Sequence, residues 1–326
     1  MASSEHIKAL VKSHLEKDDD RFLSIALQLA AHEARIGHGV LAKDLRDILE
    51  KAKKDSKHNS AISIAKSVQD TTGLLSVSHP RNKLSELISN EGIEAKLNRI
   101  ISEQRHMSQL KNHGLRPRRH ILLVGPPGTG KTFTASILAA ELDYPLFEVR
   151  LDALITKFMG ESSAKLRQVF EAINNVRGVY FFDEFDALGS QRSSSNDVGE
   201  ARRILNSFLQ MIEQDDSNSL IICATNHIEI LDHALFRRFD DVVRYELPSD
   251  QEIVTLLKKR LNEFVKGDFK WEEALTVSKG LSSAELTRAA DESIKDMLIN
   301  GYEDITLPNL LAAISDRSEM RRNLIK

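Results

Sequence analysis

Two groups of residues in this chain of 326 residues have the types and spacing that phosphoryl chemistry needs. The first is Gly125-Pro126-Pro127-Gly128-Thr129-Gly130-Lys131-Thr132, which fits G-x-x-x-x-G-K-[ST] and runs into Phe133. Glycines let a loop turn so tightly that successive backbone N–H groups point inward at a nucleotide's phosphates, and a helix starting at the loop's end adds its partial positive charge. In such a loop Lys131 is expected to reach the β- and γ-phosphates, and Thr132 to set its hydroxyl on Mg2+. The second group is Asp183-Glu184, at the end of the apolar run Val179-Tyr180-Phe181-Phe182. Beside a phosphate loop, these carboxylates have separate tasks: Asp183 holds Mg2+ through its hydration shell, and Glu184 orients and polarises an attacking water. Catalysis there is mostly positioning and electrostatic stabilisation of the transferred group. Asn226, after Ala224-Thr225, is expected within reach of the same water or of the γ-phosphate.

These residues need a strand, a loop and a helix in fixed order. Ile121-Leu122-Leu123-Val124 reads as a buried strand, and 133–142 as a helix with apolar residues at helical spacing. Strand patterns at 146–149, 179–182 and 220–224 alternate with helix patterns at 164–174 and 201–212. Alternation of this kind implies right-handed crossovers and a parallel sheet with helices on both faces, an α/β class. Beyond residue 250 the strand signals fade, and 252–265, 282–299 and 307–314 read as an all-helical C-terminal subdomain. Ahead of the sheet, 84–110 reads as a helical stretch. Helices near 5–16, 21–35 and 40–54 form a small bundle expected to bury Phe22, Leu23, Leu27, Leu41, Leu45 and Ile48. The expected partition is an N-terminal helical domain at 1–54, a Ser-, Asn- and Lys-rich linker at 55–82, a nucleotide-binding subdomain at 83–248 and a small helical subdomain at 249–326.

Composition excludes several classes. With 41% hydrophobic and 29% charged residues the chain is neither mainly disordered nor fibrous. A net charge of −3 gives no global reason to bind nucleic acid, although Arg116-Pro117-Arg118-Arg119 is a local cluster that reads either as a solvated loop or as a phosphate-backbone contact. The single cysteine, Cys223, has no intramolecular partner and reads as a small buried strand residue. His32-Glu33 and His38 stand six apart, with a glycine between, where a zinc helix needs four, so they read as surface histidines. No apolar run is long enough to span a bilayer, and the start, Met-Ala-Ser-Ser-Glu, lacks an apolar signal core. The expectation is a cytoplasmic protein.

Over about residues 84–314 these motifs resemble the AAA-type ATPases, and the core is similar to short bacterial stand-alone members of that family. The resemblance makes Gly125 to Thr132 the Walker A loop for ATP, Asp183 and Glu184 the Walker B pair working with Mg2+, and Asn226 the first sensor. It makes Arg237 and Arg238, in Leu235-Phe236-Arg237-Arg238-Phe239-Asp240, arginine fingers directed at a neighbouring subunit's nucleotide. Fingers shared between subunits imply a closed homo-oligomeric ring, by resemblance a hexamer. Gly280-Leu281-Ser282-Ser283-Ala284-Glu285-Leu286 is similar to the motif that flanks the adenine, with Gly280 and Ala284 as the contacts. Lys157-Phe158-Met159-Gly160 stands where the family carries an aromatic-hydrophobic-glycine pore loop, and 191–199 where it carries a second. Two departures stand out: no Pro-Gly separates the two arginines, and Gln214-Asp215-Asp216 replaces a common inter-subunit Asp-Gly-Phe. The function implied is ATP-driven remodelling, unfolding or translocation of a protein client through a pore. The N-terminal helices would choose the client, and some relatives work beside a separate protease. The alternatives are an ATPase loading or moving on nucleic acid, and a nucleotide switch that assembles a partner.

Overall fold

The structure, a computed structural model, describes residues 7–11, 13, 19–39, 41–46, 48, 73–155, 161–188, 195–227, 236–266 and 269–324. The chain divides into two compact units, one of residues 1–70 and 111–113 and one of 71–110 and 114–326. In the first, α1 (Asp19–Arg35) ends before Gly37, whose φ of +94° suits a helix stop. Its buried side is not the expected one. Ala26, Ala30 and Ala42 are buried, whereas Leu27, Leu41 and Ile48 are about half exposed or more. Small residues at i, i+4 define a second stripe on α1, and that stripe faces inward. His38 Nδ1 meets Glu33 Oε2 at 2.7 Å, so this histidine caps its own turn.

The second unit begins with β1 (Leu75–Ser78), α2 (Glu91–Arg105), α3 (Met107–Asn112), β2 (His120–Val124) and α4 (Lys131–Leu142). It continues with β3 (Leu146–Val149), α5 (Leu151–Leu154), α6 (Glu161–Asn175), β4 (Val179–Phe182), α7 (Ser195–Gln214), β5 (Leu220–Thr225) and β6 (Asp241–Arg244). The strands form one sheet in the order β1-β3-β4-β5-β2-β6, parallel except for β1, which pairs antiparallel with β3. Every residue of β2, β4 and β5 is buried, as strands covered on both faces must be. On one face Ile121, Leu123, Phe181 and Ile222 pack with Ile100 of α2 and Leu138 of α4. On the other, the Tyr180 hydroxyl donates to the carbonyls of Ala172 and Val176, both at 2.9 Å, and Phe182 meets Phe208 of α7 edge-on.

Two strands were not expected. β1 lies inside the stretch read as linker: only Leu75 of its four residues is buried, so it carries no apolar run. β6 reads Asp-Val-Val-Arg, an edge strand too short and charged to be seen as one. The helical stretch expected over 84–110 is divided into a 3-10 turn (Leu84–Glu86), α2 and α3: the Asn90 side chain caps the start of α2 by accepting from the Ile93 amide at 2.9 Å, and His106 ends it.

The chain then forms α8 (Asp250–Leu261), α9 (Ala274–Ser278), α10 (Ser283–Asn300) and α11 (Leu307–Leu324) around Leu257, Leu261, Trp271, Leu286, Leu310 and Ile314. Reciprocal capping boxes start α8 at Ser249 with Glu252, and α10 at Ser282 with Glu285. Gly301, at φ +67°, ends α10.

Candidate active site

Parallel pairing aligns Val124 with Thr225 and Phe182 with Cys223, so β2, β4 and β5 end side by side. Gly125, Asp183 and Asn226 therefore gather at one edge of the sheet, where β2 has neighbours on either side and open α/β sheets bind ligands. The loop from β2 to α4 turns through glycines at φ +150° (Gly125), +76° (Gly128) and +103° (Gly130). Two of them are required by crowding as well as by φ. A Cβ on Gly125 would collide with the Tyr245 carbonyl, and one on Gly128 would come 2.6 Å from Ser282 Oγ.

Lys131 is the first residue of α4 and is buried, with 6% of its surface exposed. Its Nζ donates to the carbonyls of Gly125 and Pro126 and to Asn226 Oδ1, each at 2.8 Å. Burial pushes its ammonium below the ordinary lysine range, against the pull of the Asp183 and Asp186 charges. Thr132 Oγ1 donates to Asp183 Oδ2 at 2.9 Å. Glu184, exposed beside them, has φ +49°, a left-handed conformation that costs a non-glycine residue about 1 to 3 kcal/mol. Its turn is braced. The Glu184 amide donates to Asp183 Oδ1 at 2.9 Å, its carbonyl accepts from the Ala187 amide at 2.8 Å, and Thr225 Oγ1 donates to Asp186 Oδ1 at 2.8 Å.

These groups line a cleft of about 960 Å3. Pro127 to Phe133, Asp183, Glu184 and Asn226 form its floor; Leu87 and Ile88 of the segment after the 3-10 turn, Leu256 of α8 and Ala284, Thr287 and Arg288 of α10 form its walls. The Ala284 amide donates to the Gly128 carbonyl at 3.0 Å, so the helical part of the unit closes directly on the loop. A cleft of this size, with an apolar wall and a glycine cradle holding one buried cation, fits a nucleoside triphosphate. Thr132 and Asp183 are hard oxygen donors of the kind Mg2+ takes together with substrate phosphates.

Not every expected residue lines the cleft. Gly125 and Pro126 act from behind it, through the carbonyls that hold Lys131. Gly280, at φ +83°, forms the turn before α10 and is not among the lining residues. Nor are Arg237, which is exposed, and Arg238, which is partly buried with Nη2 2.8 Å from Glu213 Oε1 on α7. Lys157, Phe158, Met159 and Gly160, and part of the 191–199 loop, lie outside the described residues.

Asp215, in the stretch that replaces Asp-Gly-Phe, is an internal anchor. Arg119 Nη1 donates to Asp215 Oδ2 at 3.2 Å and to the Ser217 carbonyl at 2.5 Å, and His120 Nε2 lies 3.1 Å from Asp215 Oδ2. Burial opposes its ionisation, but hydrogen bonds from His120 and Ser217 and the Arg119 charge outweigh it and hold the carboxyl below the ordinary range. The arginine cluster divides: Arg116 stays on the solvated surface in an exposed pair, whereas Arg118 and Arg119 are turned into the chain. Arg116 meets Asp216 at 2.6 Å with both side chains largely exposed, and Arg118, partly buried, pairs with Glu103 at 2.6 Å.

Sequence reasoning missed Leu87, Ile88, Leu256, Thr287 and Arg288. The capping boxes mark where α8 and α10 begin, but nothing local says that these helices dock on the phosphate loop.

A family model described as the ATPase family associated with various cellular activities (AAA) matches residues 121–247, from β2 through β6. The chain is 33% identical to an uncharacterized AAA family ATPase of Sinorhizobium fredii, over 98% of this chain and 97% of that protein. It is 32% identical to a proteasome-activating nucleotidase of Sulfurisphaera tokodaii, over 67% of this chain and 60% of that protein. An ATP-dependent zinc metalloprotease FtsH of Acidothermus cellulolyticus is 28% identical, over 72% of this chain and 36% of its own.

Proposed function

Because the chain belongs to the AAA family of ATPases, we propose that it hydrolyses ATP with Mg2+ in a homo-oligomeric ring, a hexamer, and uses that turnover to remodel a protein client drawn along its pore. In this reading the loop amides and Lys131 hold the phosphates, and Thr132 and Asp183 hold Mg2+, which when bound neutralises charge developing on the transferred group. Glu184 accepts the proton of the attacking water, and Asn226, tied to Lys131, keeps that water aligned. Arg237 and Arg238 complete a neighbour's site.

The observation that carries the protein-client reading is the pair Phe158-Met159 in the connection between α5 and α6, followed by Gly160. A ring of large apolar side chains grips an extended polypeptide without reading its sequence. Relatives named for proteasome activation and for ATP-dependent proteolysis support the same direction, and a protease partner is part of the proposal. A nucleic-acid translocase is disfavoured because two of the three arginines of the 116–119 cluster, Arg118 and Arg119, are turned into the chain and paired with carboxylates.

The test is Phe158→Ala. The variant is expected to assemble and hydrolyse ATP near the wild-type rate while unfolding of a tagged reporter protein collapses; Phe158→Tyr should retain most unfolding. If Phe158 is a core residue instead, truncation will cost about 3 to 5 kcal/mol and lower the melting temperature. A stable, ATPase-competent Phe158→Ala protein that still unfolds the reporter would remove the threading reading.

A further inference from the structure

Phe185 follows Glu184, and Phe239 follows Arg237-Arg238. The two rings meet edge to face, with centroids 6.5 Å apart and planes at 88°. Phe185 is fully buried and Phe239 is 7% exposed, so neither ring has room to drift independently of the other. Each belongs to a segment held on its far side. Asp186, next to Phe185, accepts from Thr225 at the end of β5. Asp240, next to Phe239, accepts at Oδ2 from the Arg119 amide at 2.7 Å and the His120 amide at 2.9 Å, which fixes the arginine loop to the start of β2. A second route runs through α7, whose Phe208 ring lies 4.7 Å from that of Phe185 and whose Glu213 pairs with Arg238. Between the residue expected to act on this subunit's nucleotide and those expected to act on a neighbour's, the connecting matter is aromatic and close-packed.

We propose that Phe185 and Phe239 are positioning residues that fix the arginine loop and the Glu184 turn of one subunit to each other, so that the strained glutamate holds its working geometry only while Arg237 and Arg238 hold theirs. The inference rests on the reading of those arginines as fingers in trans. It gives the chain a link between neighbouring sites that does not need the Asp-Gly-Phe it lacks, since Asp215 is committed to Arg119 and His120.

A double-mutant cycle on turnover tests this, with Phe185→Leu, Phe239→Leu and the pair in the full-length assembled protein. Each single change is expected to lower the rate at saturating ATP about three- to tenfold, the worth of one edge-to-face pair. The dissociation constant for a non-hydrolysable ATP analogue should stay within about twofold, and the double variant should be no slower than the slower single one. A merely structural role would lower analogue binding along with the rate; a lower melting temperature is expected in either case, because both rings are buried. If Phe239→Leu does not fold, Phe239→Met replaces it in the cycle. Singles with wild-type turnover, or losses that multiply in the double variant, overturn the proposal. Arg237→Ala/Arg238→Ala is measured alongside: wild-type turnover there removes the finger reading itself, whereas slow turnover there with a multiplicative cycle removes only the aromatic link.

Discussion

Thr132 Oγ1 and Asp183 Oδ2 stand 2.9 Å apart although 51 residues separate them in sequence. One carboxylate of the Asp183-Glu184 pair is thereby tied to the phosphate loop, while its neighbour is turned out into the cleft by a left-handed backbone. Adjacent acidic residues thus have separate surroundings, and a substitution at the glutamate should fail differently from one at the lysine of the loop. Glu184→Gln keeps the shape and loses the proton acceptor, so it is expected to bind the nucleotide normally and turn over about 100- to 10,000-fold more slowly. Lys131→Ala removes a charged donor and should weaken nucleotide binding about 10- to 100-fold. Binding titration and steady-state turnover on both variants check this; normal turnover in Glu184→Gln would take that residue out of the mechanism.

Arg237 and Arg238 are not among the residues that line the cleft of their own chain. Mixing Lys131→Ala subunits, which still present both arginines, with Arg237→Ala/Arg238→Ala subunits, which keep their own loop, should restore turnover above that of either variant alone. Co-assembly is confirmed first by labelling each variant; co-assembled mixtures with no recovery would count against action in trans.

Asp215→Asn should be strongly destabilising at neutral pH, by about 3 kcal/mol, because it strands the buried Arg119 guanidinium. Its folded pKa is depressed below the ordinary 3.8, so the stability it supplies is present above that value and is lost as pH falls through the folded one. Urea unfolding of both proteins should show the full gap at pH 7 and a closing gap only below about pH 3.8. A gap unchanged into strong acid would mean that the carboxylate charge is not what holds Arg119.

Cys223 is fully buried in β5 between β4 and β2, and burial pushes its thiol well up. A thiol reagent should reach it only through unfolding of the sheet, so labelling reports global opening. A non-hydrolysable ATP analogue at about 100 times its dissociation constant should slow labelling about 100-fold, the equivalent of about 2.7 kcal/mol. Fast labelling with no nucleotide dependence would show that the strand opens locally.

The loop and the acidic pair were legible because their chemistry is written in contiguous residues flanked by apolar runs with no other use: β2 and β4 are buried on both faces, and their composition says so. β1 and β6 escaped because edge strands bury half their side chains, and Ser76, Ser78, Asp241 and Arg244 hide the pattern. The walls of the cleft escaped for a different reason. Leu87, Leu256 and Arg288 join it only through tertiary docking. Asp215 escaped for a third reason, since its stretch was read only as a departure from the family pattern and the buried pair with Arg119 forms across 96 residues of chain.

The Ala284 amide that binds the loop carbonyl sits in the first turn of α10. With 18 residues, α10 is about 27 Å long, and its other end carries Leu298, Ile299 and Tyr302, from 56% to 80% exposed. Were the helical layer to tilt about the Gly128 contact, each ten degrees would sweep that far tip through roughly 5 Å. Such a tilt would turn a small adjustment at the phosphate loop into a displacement as wide as a side chain at the opposite end of the helix.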